Sequence, residues 1–260
     1  MKIEFLTEED MYVLPFFEEL FRDYAGDLEI VRVSCCRAMG NRSRRQLLRA
    51  LVSLYGPVGF LRLAARHAGS RVLSLLPRRR GGRHYYSIRQ LCTSYGVSYG
   101  RVQNPNAEEY LQALADRAPD LIVSVACPFI LKRRLLETPR LGCINLHNAP
   151  LPRYKGMMPT FWQLFHGERA VGLTIHYMNE KIDEGHVLFQ DRMDIRPGET
   201  LDQLIRRSKR RAAHCLVDVL GQLEDGSARS VPLSKAGSTY FTFPNLDQIR
   251  EFRRRGLRAI

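Results

Sequence analysis

The sequence predicts an α/β protein built on a doubly wound, mostly parallel sheet. Three observations carry that expectation. Apolar strand-like runs alternate with helix-like segments from the first residue onward, the rhythm of a parallel sheet with helices on both faces. Leu121 to Ala126 is a continuous apolar run, as a central strand covered on both sides requires. A chain of 260 residues with 45% hydrophobic content can bury a substantial core and is not disordered throughout.

In chain order, Met1 to Thr7 supplies Ile3, Phe5 and Leu6 for a first strand. Glu8, Glu9 and Asp10 then put negative charge at the start of a helix predicted over Tyr12 to Tyr24, where the helix dipole favours it. Leu28 to Cys35 is a second strand, and no glycine-rich phosphate loop stands in the first turn. Gly40 to Tyr86 is a basic insert. In it Arg44, Arg45, Arg49, Arg62 and Arg66 alternate with leucines in two helical segments broken at Gly56-Pro57, and a basic loop follows from Arg78 to His84. A helical cover over the sheet is the favoured reading, because Leu51, Leu54 and Leu61 need burial. A basic amphipathic surface for membrane or RNA, and a partner-binding flap, are the alternatives.

From Ile88 the α/β rhythm resumes with a helix to Tyr95 and a strand from Tyr99 to Val102. Asn106 to Glu109 reads as a capping box for the next helix. After the central run, Cys127-Pro128-Phe129-Ile130-Leu131 reads as a strand-to-helix junction. Gly142 to Leu146 is a short buried strand, and Asn145 and His147, two apart, leave it on one face. Val171 to Met178 alternates as a half-buried strand, and residues 179–185 form a charged turn holding Asp183. If the two strands are neighbours, the loops holding His147 and Asp183 can converge on one rim. An imidazole, an amide and a carboxylate are a set suited to acyl transfer, although an Asp in a turn is more often only a turn-former.

Met157-Met158-Pro159 opens a further helix containing Trp162, which reads as core. Thr200 to Gln203 is a second capping box, starting a helix to about Leu220 with one apolar face and a basic face carrying Arg206, Arg207, Lys209, Arg210 and Arg211. After Gly226 a short tail remains, whose Tyr240, Phe241 and Phe243 are candidates for a homo-oligomeric contact.

Composition narrows the function. The six cysteines and seven histidines show no C-x-x-C or H-x-x-x-H spacing, so buried thiols and no metal are expected. The amino terminus lacks the pattern of a secretory signal, and no uninterrupted apolar run reaches the length of a transmembrane segment, which makes a cytoplasmic location the expectation. A net charge of +13 raises nucleic acid as a partner, but no RNA-binding motif with interleaved aromatics is visible, and a solvated basic surface is favoured.

The segment Gly142 to Gly185 resembles the formyltransferase family that uses 10-formyltetrahydrofolate. The resemblance rests on Asn145-Leu146-His147, Leu151-Pro152-Arg153-Tyr154-Lys155-Gly156, Gly172-Leu173-Thr174 and Ile182-Asp183-x-Gly185, with Asp183 following Asn145 by 38 positions. It implies that residues 1–226 form a formyltransferase catalytic domain, with the 40–86 insert inside it and 227–260 as a short extension. It places Asn145, His147 and Asp183 in the catalytic positions. Phe129, Ile130, Leu131, Ile182 and Asp183 take cofactor-binding positions, and His176 and Met158 substrate-side ones. The implied reaction moves a formyl group from the cosubstrate 10-formyltetrahydrofolate to a primary amine of a small molecule, an amino sugar or sugar nucleotide. Three alternatives stay open: a methionyl-tRNA formyltransferase-like enzyme without the family's carboxyl-terminal barrel, a formyltetrahydrofolate hydrolase, and a non-catalytic RNA- or membrane-associated binding protein.

Overall fold

The computed structural model describes residues 1–37, 44–82 and 84–260. Gly40, where the predicted insert begins, and Arg83, in its basic loop, lie outside the described residues. The strands are β1 (Lys2–Glu8), β2 (Glu29–Cys36), β3 (Tyr99–Val102), β4 (Leu121–Val125), β5 (Cys143–His147), the two-residue β6 (Lys155–Gly156), β7 (Ala170–Tyr177) and β8 (Val187–Asp194). Seven of them form one sheet in the order β3-β2-β1-β4-β5-β7-β8. β1 to β5 pair in parallel, and β7 and β8 extend the sheet antiparallel. The order reverses between β1 and β4, which opens a crevice at the carboxyl ends of the strands, where such sheets take ligands.

The helices are α1 (Leu14–Tyr24), α2 (Arg44–Leu73), α3 (Ile88–Tyr95), α4 (Glu108–Arg117), α5 (Arg133–Leu136), α6 (Pro159–Phe165), α7 (Leu201–Glu224) and α8 (Leu246–Arg254). Alternation along the strands divides the core. Phe5, Val33, Val123 and Ile144 pack under α1, α3 and α7, whereas Leu6, Cys36, Ile122 and Cys143 pack under α4 and α5. At Thr200 the predicted capping box forms, its hydroxyl accepting from Gln203 N and the Gln203 side chain accepting from Thr200 N. At Asn106 it does not: Ala107 is the capping residue, without a side-chain cap. The Asn106 amide is spent elsewhere, donating to the Ile130 carbonyl at 3.0 Å and accepting from Lys132 N at 2.8 Å, so it pins the loop that follows β4.

The insert packs chiefly against α8, and its break has a clear cause. Gly56 adopts φ +69 and ψ 165 inside α2, an extended, left-handed conformation that the following proline and the missing side chain allow. Pro57 has no N–H, so the carbonyl four residues back, on Ser53, loses its helical donor. The Arg253 guanidinium of α8 supplies one at 3.2 Å. Ala50 and Leu54 are buried beside Ile249 and Phe252 of α8. Leu51 is half-buried, but Leu61 is exposed, so its expected burial was wrong. An 18-residue stretch within Arg45–Leu73 reaches a mean hydropathy of 1.3, long and apolar enough by composition alone to span a membrane, although the Gly56 break and the packing on α8 hold this helix against the body.

The residues after 226 are not a loose tail. Phe252 and Ile249 are fully buried with Phe161, Trp162 and Leu204, and β9 (Tyr240–Phe241) pairs in parallel with β6. Phe241 stacks on Trp162 at 4.7 Å and Phe243 packs in the same cluster, so these two proposed subunit-contact residues are engaged within the chain.

Gly172, in the sequence motif at the start of β7, explains itself by proximity: a Cβ there would lie 2.3 Å from Pro150 N. Its N–H donates to Gln163 Oε1, while Gln163 Nε2 donates to the Asn148 carbonyl, and this stitches the post-β5 loop to α6. Gly172→Ala is expected to cost about 1–3 kcal/mol by overpacking. Thermal denaturation reads this directly, and an unchanged Tm would refute the close fit.

Candidate active site

Asn145 and His147 leave β5 on the same face as Cys143, and the antiparallel register sets His176 of β7 opposite Asn145. Asn145 Nδ2 donates to His176 Nε2 at 3.3 Å. The assignment follows from the other ring nitrogen: His176 Nδ1 lies 2.8 Å from the Tyr177 carbonyl, which only accepts, so in the neutral ring Nε2 is the acceptor. The same reasoning fixes His147. Its Nε2 donates to the Tyr154 carbonyl at 2.8 Å, which leaves Nδ1 facing Asp183.

Asp183 arrives by a different route from the predicted one. Because β7 runs antiparallel to β5, the 178–186 loop leaves at the opposite end from His147 and must fold back over the sheet face. The expected convergence of two loops on one rim is therefore replaced by a strand face and a returning loop. Tyr177 N donates to the His186 carbonyl at 2.8 Å, which closes the loop. Gly185 passes so near that a Cβ would lie 1.6 Å from the Tyr177 carbonyl oxygen, so no other residue fits there without moving the backbone. Asp183 itself takes φ +53. Its Oδ2 accepts from Gly156 N at 2.9 Å and lies 3.6 Å from His147 Nδ1; its Oδ1 is 3.7 Å from His176 Nε2.

The loop that supplies the Tyr154 carbonyl and the Gly156 N–H is held straight by the carboxyl-terminal segment. Tyr154 N donates to Thr239 Oγ1, Lys155 N to the Thr239 carbonyl and Met157 N to the Phe241 carbonyl. Lys155 Nζ also reaches Glu184 Oε1 at 2.7 Å, joining this loop to the one carrying Asp183. Sequence reading missed this role of residues 239–241, because nothing local to Thr239-Tyr240-Phe241 reveals a partner 85 residues upstream.

Burial sets the charges. It is the largest influence on His147 and lowers its pKa below the ordinary 6.5, although Asp183 pulls the other way. Burial outweighs the pull of Asp183, so near neutral pH the buried ring is neutral. On Asp183 burial is again the largest single influence and pushes upward. His147, His176 and the Gly156 N–H together outweigh it and hold the carboxyl at about 2. The two directions belong to different pH ranges, since His147 carries charge only in the acid range where Asp183 titrates.

The other predicted residues divide. Leu131 is fully buried in the core and offers no side chain to a ligand; Phe129 packs half-buried against the same cluster. Ile130 is 54% exposed and Ile182 40%, so these two present apolar surface. Met158 is half-buried with φ +52 at the start of α6. His176, only 2% exposed, backs Asn145 instead of facing open space. Lys209 was misplaced on the solvated face of α7. It is buried because it lies at i+4 from Ile205 and three before Ala212, a spacing that belongs to the apolar stripe. Burial lowers its pKa to about 8, against the pull of Asp10 and Glu8.

A cavity of about 1330 Å³ opens beneath α2 at the ends of β1, β2 and β3, with Glu8 and Asp10 in its wall beside Arg66, Arg71, Arg89 and Arg101. Asn145, His147 and Asp183 do not line it. Lys209 connects the two regions electrostatically, since it responds to Glu8 and Asp10 and itself acts on His147. Elsewhere, Glu19, Asp23 and His214 gather three metal-ligand types, but Arg22 already bridges both carboxylates.

These shifts fix a pH signature. His147 is depressed, so below about pH 6.5 the unfolded chain takes up a proton that the native ring resists, and stability falls with pH. Asp183 is also depressed, so its contribution is complete above 3.8 and is lost as pH falls through about 2. Ring-proton NMR is expected to show His147 titrating below 6.5, and lower still in Asp183→Asn, where the raising influence is removed. A midpoint above 6.5 in the native chain would overturn the assignment.

A family model described as formyl transferase matches residues 74–220. Methionyl-tRNA formyltransferases from Syntrophus aciditrophicus and Aromatoleum aromaticum are 37% and 33% identical over 155 and 153 residues, which is 59% of this chain but 49% and 48% of theirs. The chain thus spans about half the length of these relatives. Its fold is shared with a sugar N-formyltransferase from a Shewanella species (TM-score 0.58, 19% identity, covering 97% of this chain and 87% of that one). It is shared equally with glycinamide ribonucleotide transformylase 1 from Symbiobacterium toebii (TM-score 0.59, 16% identity, 90% and 94%). With more than half its residues matched by the family model, and with the trio on the strand and loop described above, this chain belongs to the formyl transferase family.

Proposed function

We propose that this chain transfers a formyl group from 10-formyltetrahydrofolate to a primary amine of a small molecule, an amino sugar or sugar nucleotide. The observation that carries the reading is the convergence of Asn145, His147 and a charged Asp183 on one buried spot, held from behind by His176 and Gly156. In this reading the folate lies against the loop after β4 and the 178–186 loop after β7. Ile130 and Ile182 offer exposed apolar surface for a ring, and the backbone after β4 is fixed by Asn106. When bound, it supplies an already activated formyl group, so the chain needs no covalent nucleophile.

The residues then have separable tasks. The amine attacks as its free base, and neutral His147 takes its proton at Nδ1, the nitrogen not engaged by the Tyr154 carbonyl. Asp183 stabilises the resulting imidazolium, which returns the proton to the leaving nitrogen. One amide hydrogen of Asn145 is held by His176, and the other is free to donate to a developing oxyanion. Support for an anionic, phosphate-bearing substrate comes from the arginines of the cavity under α2, because guanidinium groups match phosphate oxygens in pairs. The 33–37% identity to methionyl-tRNA formyltransferases keeps Met-tRNA as the second reading.

Release of tetrahydrofolate, followed by absorbance, would be measured against amino-sugar nucleotides, Met-tRNA and a no-amine control. Stimulation by a sugar nucleotide is the expected result; stimulation by Met-tRNA alone would select the second reading, and turnover without amine would identify a hydrolase. Asn145→Ala should lower kcat by about a hundredfold, on the order of 3 kcal/mol. His147→Ala and Asp183→Asn should lose turnover with the fold intact, and near-normal rates in either would remove the trio from the chemistry.

A further inference from the structure

Seven of the fourteen large apolar side chains exposed among the described residues lie between Leu47 and Leu76. In the second half of α2 they are ordered. Val58, Leu61, Ala65, Ala68 and Val72 recur at alternating intervals of three and four, and all five are exposed, so they form one outward stripe along the helix. Leu75, 82% exposed, continues the same spacing beyond the helix end. The opposite face, with Arg66, Ser70 and Ser74, looks into the cavity. The burial requirement that explains Leu54 therefore does not explain this stripe.

Charge identifies what covers it. Residues 44–87 hold ten arginines and no aspartate or glutamate, and Arg45, Arg49, Arg62, Arg71 and Arg79 are exposed. A second copy of the chain laid along the stripe would bring two arginine-rich inserts together with no acid in either, and like charges at close range oppose such a contact. A bilayer of anionic lipid meets both needs in one plane, hydrocarbon for the stripe and phosphate for the guanidinium groups. The helix is placed to lie on such a surface and not to cross it. Its break at Gly56, the Arg66–Asp202 ion pair at 2.8 Å and the Gln90 side chain donating to the Leu73 and Leu76 carbonyls fasten it to the body along its length.

We propose that α2 is an interfacial helix that docks this chain on an anionic lipid bilayer. The docked face continues through Leu75 and Leu76 into the rim of the arginine-lined cavity.

The full chain would be sedimented at low salt with phosphatidylglycerol-containing vesicles and with pure phosphatidylcholine vesicles. Binding to the anionic vesicles is expected, at least about tenfold stronger than to the neutral ones. Leu61→Glu combined with Val72→Glu should weaken it by at least about tenfold. Circular dichroism melting checks the fold of that variant, and Leu75→Ser with Leu76→Ser, beyond the helix, provides a second reading if the first unfolds. No binding to the anionic vesicles would overturn the proposal, as would equal binding by the folded variants. A dimer in sedimentation equilibrium that dissolves in these variants, without lipid binding, would assign the stripe to a second copy instead.

Discussion

Asp183 stays ionised where burial works against it, and much of the surrounding structure can be understood as what makes that tolerable. A carboxylate taken out of water needs hydrogen bonds and counter-charge. Here the Gly156 N–H supplies the first, and two imidazoles stand 3.6 and 3.7 Å from its oxygens. These distances exceed a hydrogen bond. At rest, therefore, neutral His147 and ionised Asp183 face each other without a shared proton. The pair gains its strongest attraction only when His147 becomes charged, which in the proposed reaction is when it has taken a proton from the attacking amine. Electrostatic stabilisation that appears during the reaction and not before it is the kind that raises kcat.

That arrangement depends on elements far apart in the chain. Gly156 can donate to Asp183 only because β6 is held by β9, and β9 is held by Phe241 stacking on Trp162 and by Trp162 Nε1 donating to the Thr242 carbonyl at 3.0 Å. Gly156 also has φ +91, and a Cβ there would lie 2.2 Å from the Phe241 carbonyl oxygen. The glycine in the Tyr154-Lys155-Gly156 motif is thus required twice, for its dihedral and for the approach of the second strand. The aromatic cluster around Trp162 consequently positions the Gly156 N–H that Asp183 accepts from, without touching Asp183 itself.

How much of this was legible follows the range of the forces involved. The strands, the break at Gly56-Pro57, the cap at Thr200 and the common face of Asn145 and His147 rest on local chemistry, and the sequence carries local chemistry openly. The direction of β7 does not: alternation along Val171 to Met178 is the same for a parallel and an antiparallel strand, so the route of the Asp183 loop was misjudged. Asn106 failed as a cap because a stronger use for its amide lay 24 residues away, at Ile130. Lys209 was misread for a different reason. A lysine is assumed to be solvated, and only its spacing with Ile205 and Ala212 spoke against that.

The same lysine links the cavity to Asn145, His147 and Asp183 through charge, although the two regions share no wall. Burial raises Glu8 to about 7 and lowers Lys209 to about 8, so two groups that are ordinarily fully charged at neutral pH are both close to titration here. Each moderates the other, since Lys209 lowers Glu8 and Glu8 raises Lys209. Lys209 in turn depresses His147, so a lysine that surrendered its proton would leave His147 a stronger base. In the proposed reaction the charge state of the cavity wall would thus reach the imidazole through Lys209, across a buried residue and with no movement of the backbone required.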